Sequence, residues 1–131
     1  MLLVPTNVRM SSIHGLGVFL LVSVKKGEVV CRFDARVDRV YSESEVSALP
    51  QHQKDFFRSH ARWHEEKQLW AVDGDEFRYC NHSDTPNLGG HGAFGDFIAA
   101  FDLAPGTELT VDYHAICDKT RLTGELDTSK V

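Results

Sequence analysis

The chain is poor in the features that would place it outside the ordinary globular classes. It has 3 cysteines and 4 prolines in 131 residues. Cys31, Cys80 and Cys117 are widely spaced and odd in number, which argues against a disulfide framework and for a reducing compartment. No apolar run approaches the roughly 20 residues of a membrane span. There is no basic excess: the net charge is −5 with histidine neutral, so no nucleic-acid-binding surface is expected. A mild acidic excess suits a basic partner, although charge of this size is ordinary for a soluble protein. Met1-Leu2-Leu3-Val4-Pro5 is too short and lacks the basic start of a signal peptide, so an intracellular location is expected. Internal repeats and low-complexity segments are absent.

What is present is one domain's worth of chain, long enough to bury about two-thirds of its unfolded surface without a covalent staple. Short runs of apolar and β-branched residues predict strands at Val4–Met10, Val18–Val22, Val29–Phe33, Leu69–Val72, Asp96–Phe101 and Glu108–Val111. Ser42 with Glu45 fits a capping box that opens a short helix ending near Pro50. Gln51–Gln68 has neither Gly nor Pro, and Phe56, Phe57, Ala61 and His64 fall at helical spacing, predicting a second helix. Many short strands with one helical insert, at about residues 42–68, make a mostly β domain over residues 1–116. The polar tail, 117–131, reads as a short helix or a partly disordered segment.

Chemistry concentrates in two segments. Arg78-Tyr79-Cys80-Asn81-His82-Ser83 is dense in side chains that donate and accept hydrogen bonds, and Pro86-Asn87 after it reads as a turn. Glu108-Leu109-Thr110-Val111-Asp112-Tyr113 ends in a tyrosine. Taken singly, Asn and Ser are loop caps and Tyr113 a core phenol. Gly15-Leu16-Gly17 is by itself a turn; it lacks the third glycine and following helix of a dinucleotide-binding loop. His60 and His64 sit at metal-ligand spacing on the predicted helix without an evident third ligand, so they read as partly exposed polar residues rather than a metal site.

In order along the chain, Ile13–Phe19, Lys26–Val30, Trp70–Gly74, Arg78–Ser83 with Pro86-Asn87, and Ala100–Tyr113 resemble the successive blocks of SET-domain protein-lysine methyltransferases. The resemblance covers nearly everything from Ile13 to Tyr113. It implies a β-clip-like fold of several short sheets, closed by a C-terminal pseudoknot. It also implies an S-adenosyl-L-methionine site in which Gly15, Leu16 and Gly17 contact the cofactor largely through backbone. Asn81 and His82 would hold its polar groups and adenine, and Arg78 would brace the motif. Tyr113 would be the catalytic tyrosine at the inner end of a narrow channel that admits a substrate lysine. The expected partner is a protein with an accessible lysine, a histone or another basic protein. A non-catalytic module of the same fold, binding a partner or cofactor without turnover, is the alternative.

The chain departs from the family in three places. Asp84 stands where many members carry a zinc-binding cysteine, and the tail offers only Cys117, so no structural zinc is expected. No aromatic residue follows Tyr113; Leu122 and Leu126, or a second subunit in a homodimer, would have to close the channel. Val111 stands where many members have Phe or Tyr, an aromatic that helps set how many methyls are added. His91 and His114 flank the expected site but match no motif. A compact member without zinc modules resembles bacterial or viral ones, and a bacterial one would be cytoplasmic.

Overall fold

The computed structural model describes residues 1–90 and 94–117. Among the described residues, ten short strands form four small sheets, with α-helices confined to one insert and the closing segment. This is the mostly β architecture that the strand pattern predicts. No helix among the described residues is long and apolar enough to cross a membrane.

The chain opens with β1 (Thr6–Met10) and β2 (Leu16–Leu20), an antiparallel hairpin that pairs Met10 with Leu16. The Ser11 amide donates to the Gly15 carbonyl at 2.7 Å, closing the loop between them. Gly15 sits at φ +45°, a conformation that costs glycine little and other residues more. Leu16 and Gly17 therefore begin the strand, where the sequence predicts a turn. β3 (Val29–Cys31) joins β9 (Phe97–Ala99), which also pairs with β8 (Leu88–Gly89). These strands, with β2 and the closing segment, enclose the larger core around Val18, Val30, Leu88, Phe97 and Leu109.

The insert begins with β4 (Arg39–Ser42) and α1 (Glu43–Ser47), whose capping box is formed as expected: Ser42 Oγ accepts from the Glu45 amide, and Glu45 reaches back to the Ser42 amide. α2 follows at Gln51–His60. The predicted helix to Gln68 is not formed. Ala61–His64 is instead β5, hairpin-paired with β6 (Leu69–Val72), which pairs on its other edge with β4. The strand wins because it seats Trp63 at 0% exposure in the smaller core with Phe57 and Trp70. It also brings Arg62 against Asp73, and a helix would place neither. Cys117, assigned to the tail by its sequence, packs into this smaller core. The rest of the predicted tail lies outside the described residues.

Asp75 accepts from the Phe77 amide and starts a 3-10 turn at Glu76–Tyr79 that buries Phe77. β7 (Asn81–His82) follows, and β10 (Thr110–Val111) returns from the end of the chain to lie parallel to it. Asn87 fastens this return with its side chain. Its Nδ2 donates to the Glu108 carbonyl at 2.8 Å and its Oδ1 accepts from the Thr110 amide at 2.9 Å. The side chain thus does the pairing that a third backbone would do. α3 (Tyr113–Ile116) starts directly after, capped by Asp112, which accepts from the His114 amide.

Candidate active site

Asn81 is the knot that ties the hairpin loop to the closing segment. It is buried, and its Nδ2 faces three acceptors: the carbonyls of His14 and Leu16, both at 3.0 Å, and Glu108 Oε2 at 2.9 Å. Glu108 is held from its other side by Ser11, whose hydroxyl lies 2.8 Å from both carboxylate oxygens. Gly17 leaves room for this arrangement: a Cβ there would stand 2.4 Å from Glu108 Oε2 and displace the carboxylate. Among the described residues the oxygen of the Asn81 amide has no hydrogen-bond partner. No side-chain polar atom among the described residues is both sealed off and unpaired, so this oxygen remains reachable.

Tyr113 is fixed at both ends. Its amide donates to His82 Nδ1 at 3.1 Å and its hydroxyl donates to the Cys80 carbonyl. Burial, with the Cys80 thiol beside it, pushes its pKa well above the usual phenol range, so the side chain is a neutral donor whose oxygen lone pairs stay available. Because His82 Nδ1 accepts, Nε2 carries the proton and donates to Asp84 Oδ1 at 2.9 Å. Arg78 donates through Nη2 to the Asp73 carbonyl at 2.9 Å and lies 5.7 Å from the centre of the Phe56 ring, bracing the 3-10 turn.

Two cavities meet at Tyr113. A broad cleft of about 380 Å³ is bordered by His14, Gly15, Leu16, Asn81 and Tyr79. A narrow cavity of about 40 Å³ is bordered by Val111, Phe77, Cys80 and Ile116, with Arg62 and Asp73 at its wall. Ser59, His60, Arg78 and Tyr113 line both. The cleft volume falls in the range of small-molecule sites. Of the residues expected from sequence, Gly15, Leu16, Arg78, Asn81 and Tyr113 share the broad cleft. Gly17 faces Glu108, and the His82 ring is held between Asp84 and Tyr113.

The model of one protein family, the SET domain, matches residues 15–114. The chain belongs to the SET-domain family. A search of curated proteins found no match. Solved structures share the fold at low identity. A humanized mutant of the Chaetomium thermophilum Polycomb repressive complex 2, bound to an inhibitor, has TM-score 0.65 and 22% identity over 90% of this chain and 16% of that one. The structure of ctPRC2 in an autoinhibited conformation bound to S-adenosylmethionine gives TM-score 0.66 and 22% identity over 83% of this chain and 15% of that one. The Neurospora SET-domain protein DIM-5, a histone lysine methyltransferase, gives TM-score 0.59 and 22% identity over 85% of this chain and 52% of that one. The chain thus spans about one-sixth of the Polycomb chains.

Within this SET domain the departures acquire places. Asp84, where many members have cysteine, bonds to His82 Nε2 and holds the ring that receives the Tyr113 amide. Val111 is buried and lines the narrow cavity beside Tyr113, where a smaller side chain leaves more room than an aromatic one. Leu122, Leu126 and His91 lie outside the described residues. His60 and His64 do not share a helix face. His60 ends α2, whereas His64 ends β5 and accepts from the Lys67 amide at 3.1 Å. Among the described residues, His82, Asp112 and His114 bring ligand atoms within 4.8 Å of one another. His82 Nδ1 already accepts from Tyr113, and Asp112 already caps α3, so this group serves the fold.

Sequence reasoning gave no role to Glu108, Ser11, Ser59 or His60. Glu108 lay inside a recognised block and its carboxylate was a readable signal, but its partners are far away in sequence. Replacing Asn81 by alanine frees two loop carbonyls and removes one of Glu108's donors. The expected result is a loss of about 1–3 kcal/mol in stability, checked by thermal melting.

Proposed function

We propose that this chain is an S-adenosyl-L-methionine-dependent protein-lysine N-methyltransferase. The observation that carries the reading is the position of the Tyr113 side chain on the wall common to a broad cleft and a narrow cavity. Two substrates entering from opposite sides would meet there. The residues fit the cofactor on the broad side. Gly15 presents backbone with open space where a Cβ would be, the free Asn81 oxygen offers an acceptor for an ammonium group, and Tyr79 and His60 offer aromatic faces. The cofactor when bound supplies an activated methyl group; the protein's share is alignment and exclusion of water.

A lysine must be neutral to react, and at pH 7 its deprotonation costs about 4–5 kcal/mol. Two features of the narrow cavity lower that cost. Its lining is largely apolar, which disfavours the ammonium, and Arg58, Arg62 and Arg78 outnumber Asp73 on its walls, so like charge opposes a second cation. The Tyr113 oxygen, with its own proton directed to the Cys80 carbonyl, can accept from the lysine nitrogen and orient its lone pair. A protein with an accessible lysine, such as a histone or another basic protein, suits the acidic charge of the chain.

The test is transfer of radiolabelled methyl groups from the cofactor to histones and to a lysate, together with calorimetric cofactor binding. Saturable labelling of lysine is expected. Cofactor binding without any lysine labelling would assign the chain to the non-catalytic module instead.

A further inference from the structure

We propose that His60 is the base that takes the proton from the substrate lysine, a role that rests on the methyl-transfer reading above. Four residues line both cavities: Ser59, His60, Arg78 and Tyr113. Arg78 is a permanent cation, and burial holds the Tyr113 phenol protonated with its pKa raised. A serine hydroxyl is no base at neutral pH. That leaves His60, placed where α2 ends and β5 begins.

The ring is set for the task. His60 Nδ1 lies 3.3 Å from the Arg78 carbonyl and must donate to it, which fixes the tautomer and leaves Nε2 bare. Among the described residues Nε2 has no hydrogen-bond partner. Because no unpaired side-chain polar atom among the described residues is sealed off, Nε2 keeps accessible surface on a ring that borders both cavities. Phe56 holds the ring from one side, with centroids 4.8 Å apart, and Tyr79 approaches edge-on at 6.2 Å.

The surroundings keep His60 neutral at pH 7. Burial lowers its pKa from the ordinary value; the hydrogen bond to the Arg78 carbonyl opposes this, and the Arg78 guanidinium adds to it. The other charges at these cavities are Arg58 on the same helix and the Arg62–Asp73 pair. The remaining titratable groups are the Tyr79 and Tyr113 phenols, the Cys80 and Cys117 thiols, and His14 across the cleft. Asp73 is engaged by Arg62, and the buried Cys80 thiol has a raised pKa and donates to the Leu109 carbonyl, so neither competes as a base.

In the step, an N–H bond of the lysine ammonium breaks and its electron pair stays on nitrogen. The proton bonds to His60 Nε2, directly or through one water. Neutral imidazole becomes imidazolium and keeps the proton while the methyl group moves; the proton passes to water after the products leave the cleft. The lysine nitrogen is left with the lone pair that methylation requires.

His60→Gln separates this role from a structural one, because its amide can still donate to the Arg78 carbonyl but cannot take a proton. We expect the variant to lose roughly 100-fold in kcat/KM at pH 7, at the lower end for general-base groups. Wild-type log kcat/KM should be flat from about pH 7 to 9, the window between a histidine base and the substrate lysine. The variant should rise about tenfold per pH unit across that window as free amine forms in solution. In wild-type protein without cofactor, imidazole nitrogen NMR should show His60 as the Nδ1–H tautomer, titrating below pH 6.5, the ordinary histidine value. An Nε2–H tautomer would overturn the proposal without recourse to any variant. So would an active wild type whose pH profile His60→Gln leaves unchanged in shape. A wild type that transfers no methyl group to any lysine would overturn the reaction and this role together.

Discussion

Tyr113→Phe is expected to lower methyl transfer by about 10²–10³-fold, the usual loss when one preorganised polar group at the reacting centre is removed. The phenol oxygen is the only group of the side chain that phenylalanine lacks, and Tyr113 lines both cavities. The substitution also removes the donor to the Cys80 carbonyl, so a stability loss of about 1 kcal/mol should accompany it. That is too small to unfold a domain of this size. Cofactor affinity should change little, since Gly15, Leu16 and Asn81 are untouched. Single-turnover transfer, calorimetric binding and thermal melting separate these effects. Transfer at the wild-type rate would remove Tyr113 from the mechanism. A general loss of binding with loss of fold would instead make it a core residue. Because burial raises the phenol's pKa, no acid or base limb in the pH profile should vanish with this variant. That distinguishes it from His60→Gln, where the shape of the profile is the readout.

The site was more legible in the sequence than the insert that borders it. Asn81, Arg78 and Tyr113 lie in dense motifs whose order along the chain is itself information, and Ser42 with Glu45 announces its capping box within four residues. Local signals of this kind survive folding. The Gln51–Gln68 segment was misread because Phe56, Phe57, Ala61 and His64 satisfy helical spacing and neither glycine nor proline interrupts them. What ends the helix at His60 is pairing with Leu69–Val72, and the Trp63–Trp70 and Arg62–Asp73 contacts that come with it. Tertiary pairing overrides propensity here. The same misreading hid the role proposed for His60, because a histidine in mid-helix has no reason to face a cleft that the hairpin creates. Gly17 shows a constraint the motif does not spell out. The resemblance implies a backbone contact to cofactor there, and the fold adds a steric reason for glycine, because a Cβ at that position would strike Glu108.

Asp73→Asn should cost roughly 3–5 kcal/mol, the range for removing one partner of a buried ion pair. Arg62 and Asp73 are both buried and meet in two parallel bonds, Nη1 to Oδ2 at 2.6 Å and Nη2 to Oδ1 at 3.0 Å. Burial works against the Arg62 guanidinium, yet the charge and hydrogen bonds of Asp73 outweigh it and hold its pKa above the ordinary value. With a neutral amide at position 73, the guanidinium stays charged in the same low-dielectric site and loses the negative charge that Asp73 sets against it. The expected fall in Tm is roughly 10–20 °C for a domain of this length. The pair is poor evidence for net stability, because two charges had to be desolvated to form it. Replacing both, as Arg62→Met with Asp73→Leu, should therefore recover most of what the single change loses. A double variant no more stable than Asp73→Asn would show that the pair contributes something an apolar core cannot. The narrow cavity suggests where that contribution would appear. Arg62 and Asp73 stand on its wall, and the Asp73 carbonyl receives Arg78. A stable double variant should bind cofactor normally but transfer methyl groups more slowly, because the cavity would lose a cation that disfavours a protonated lysine.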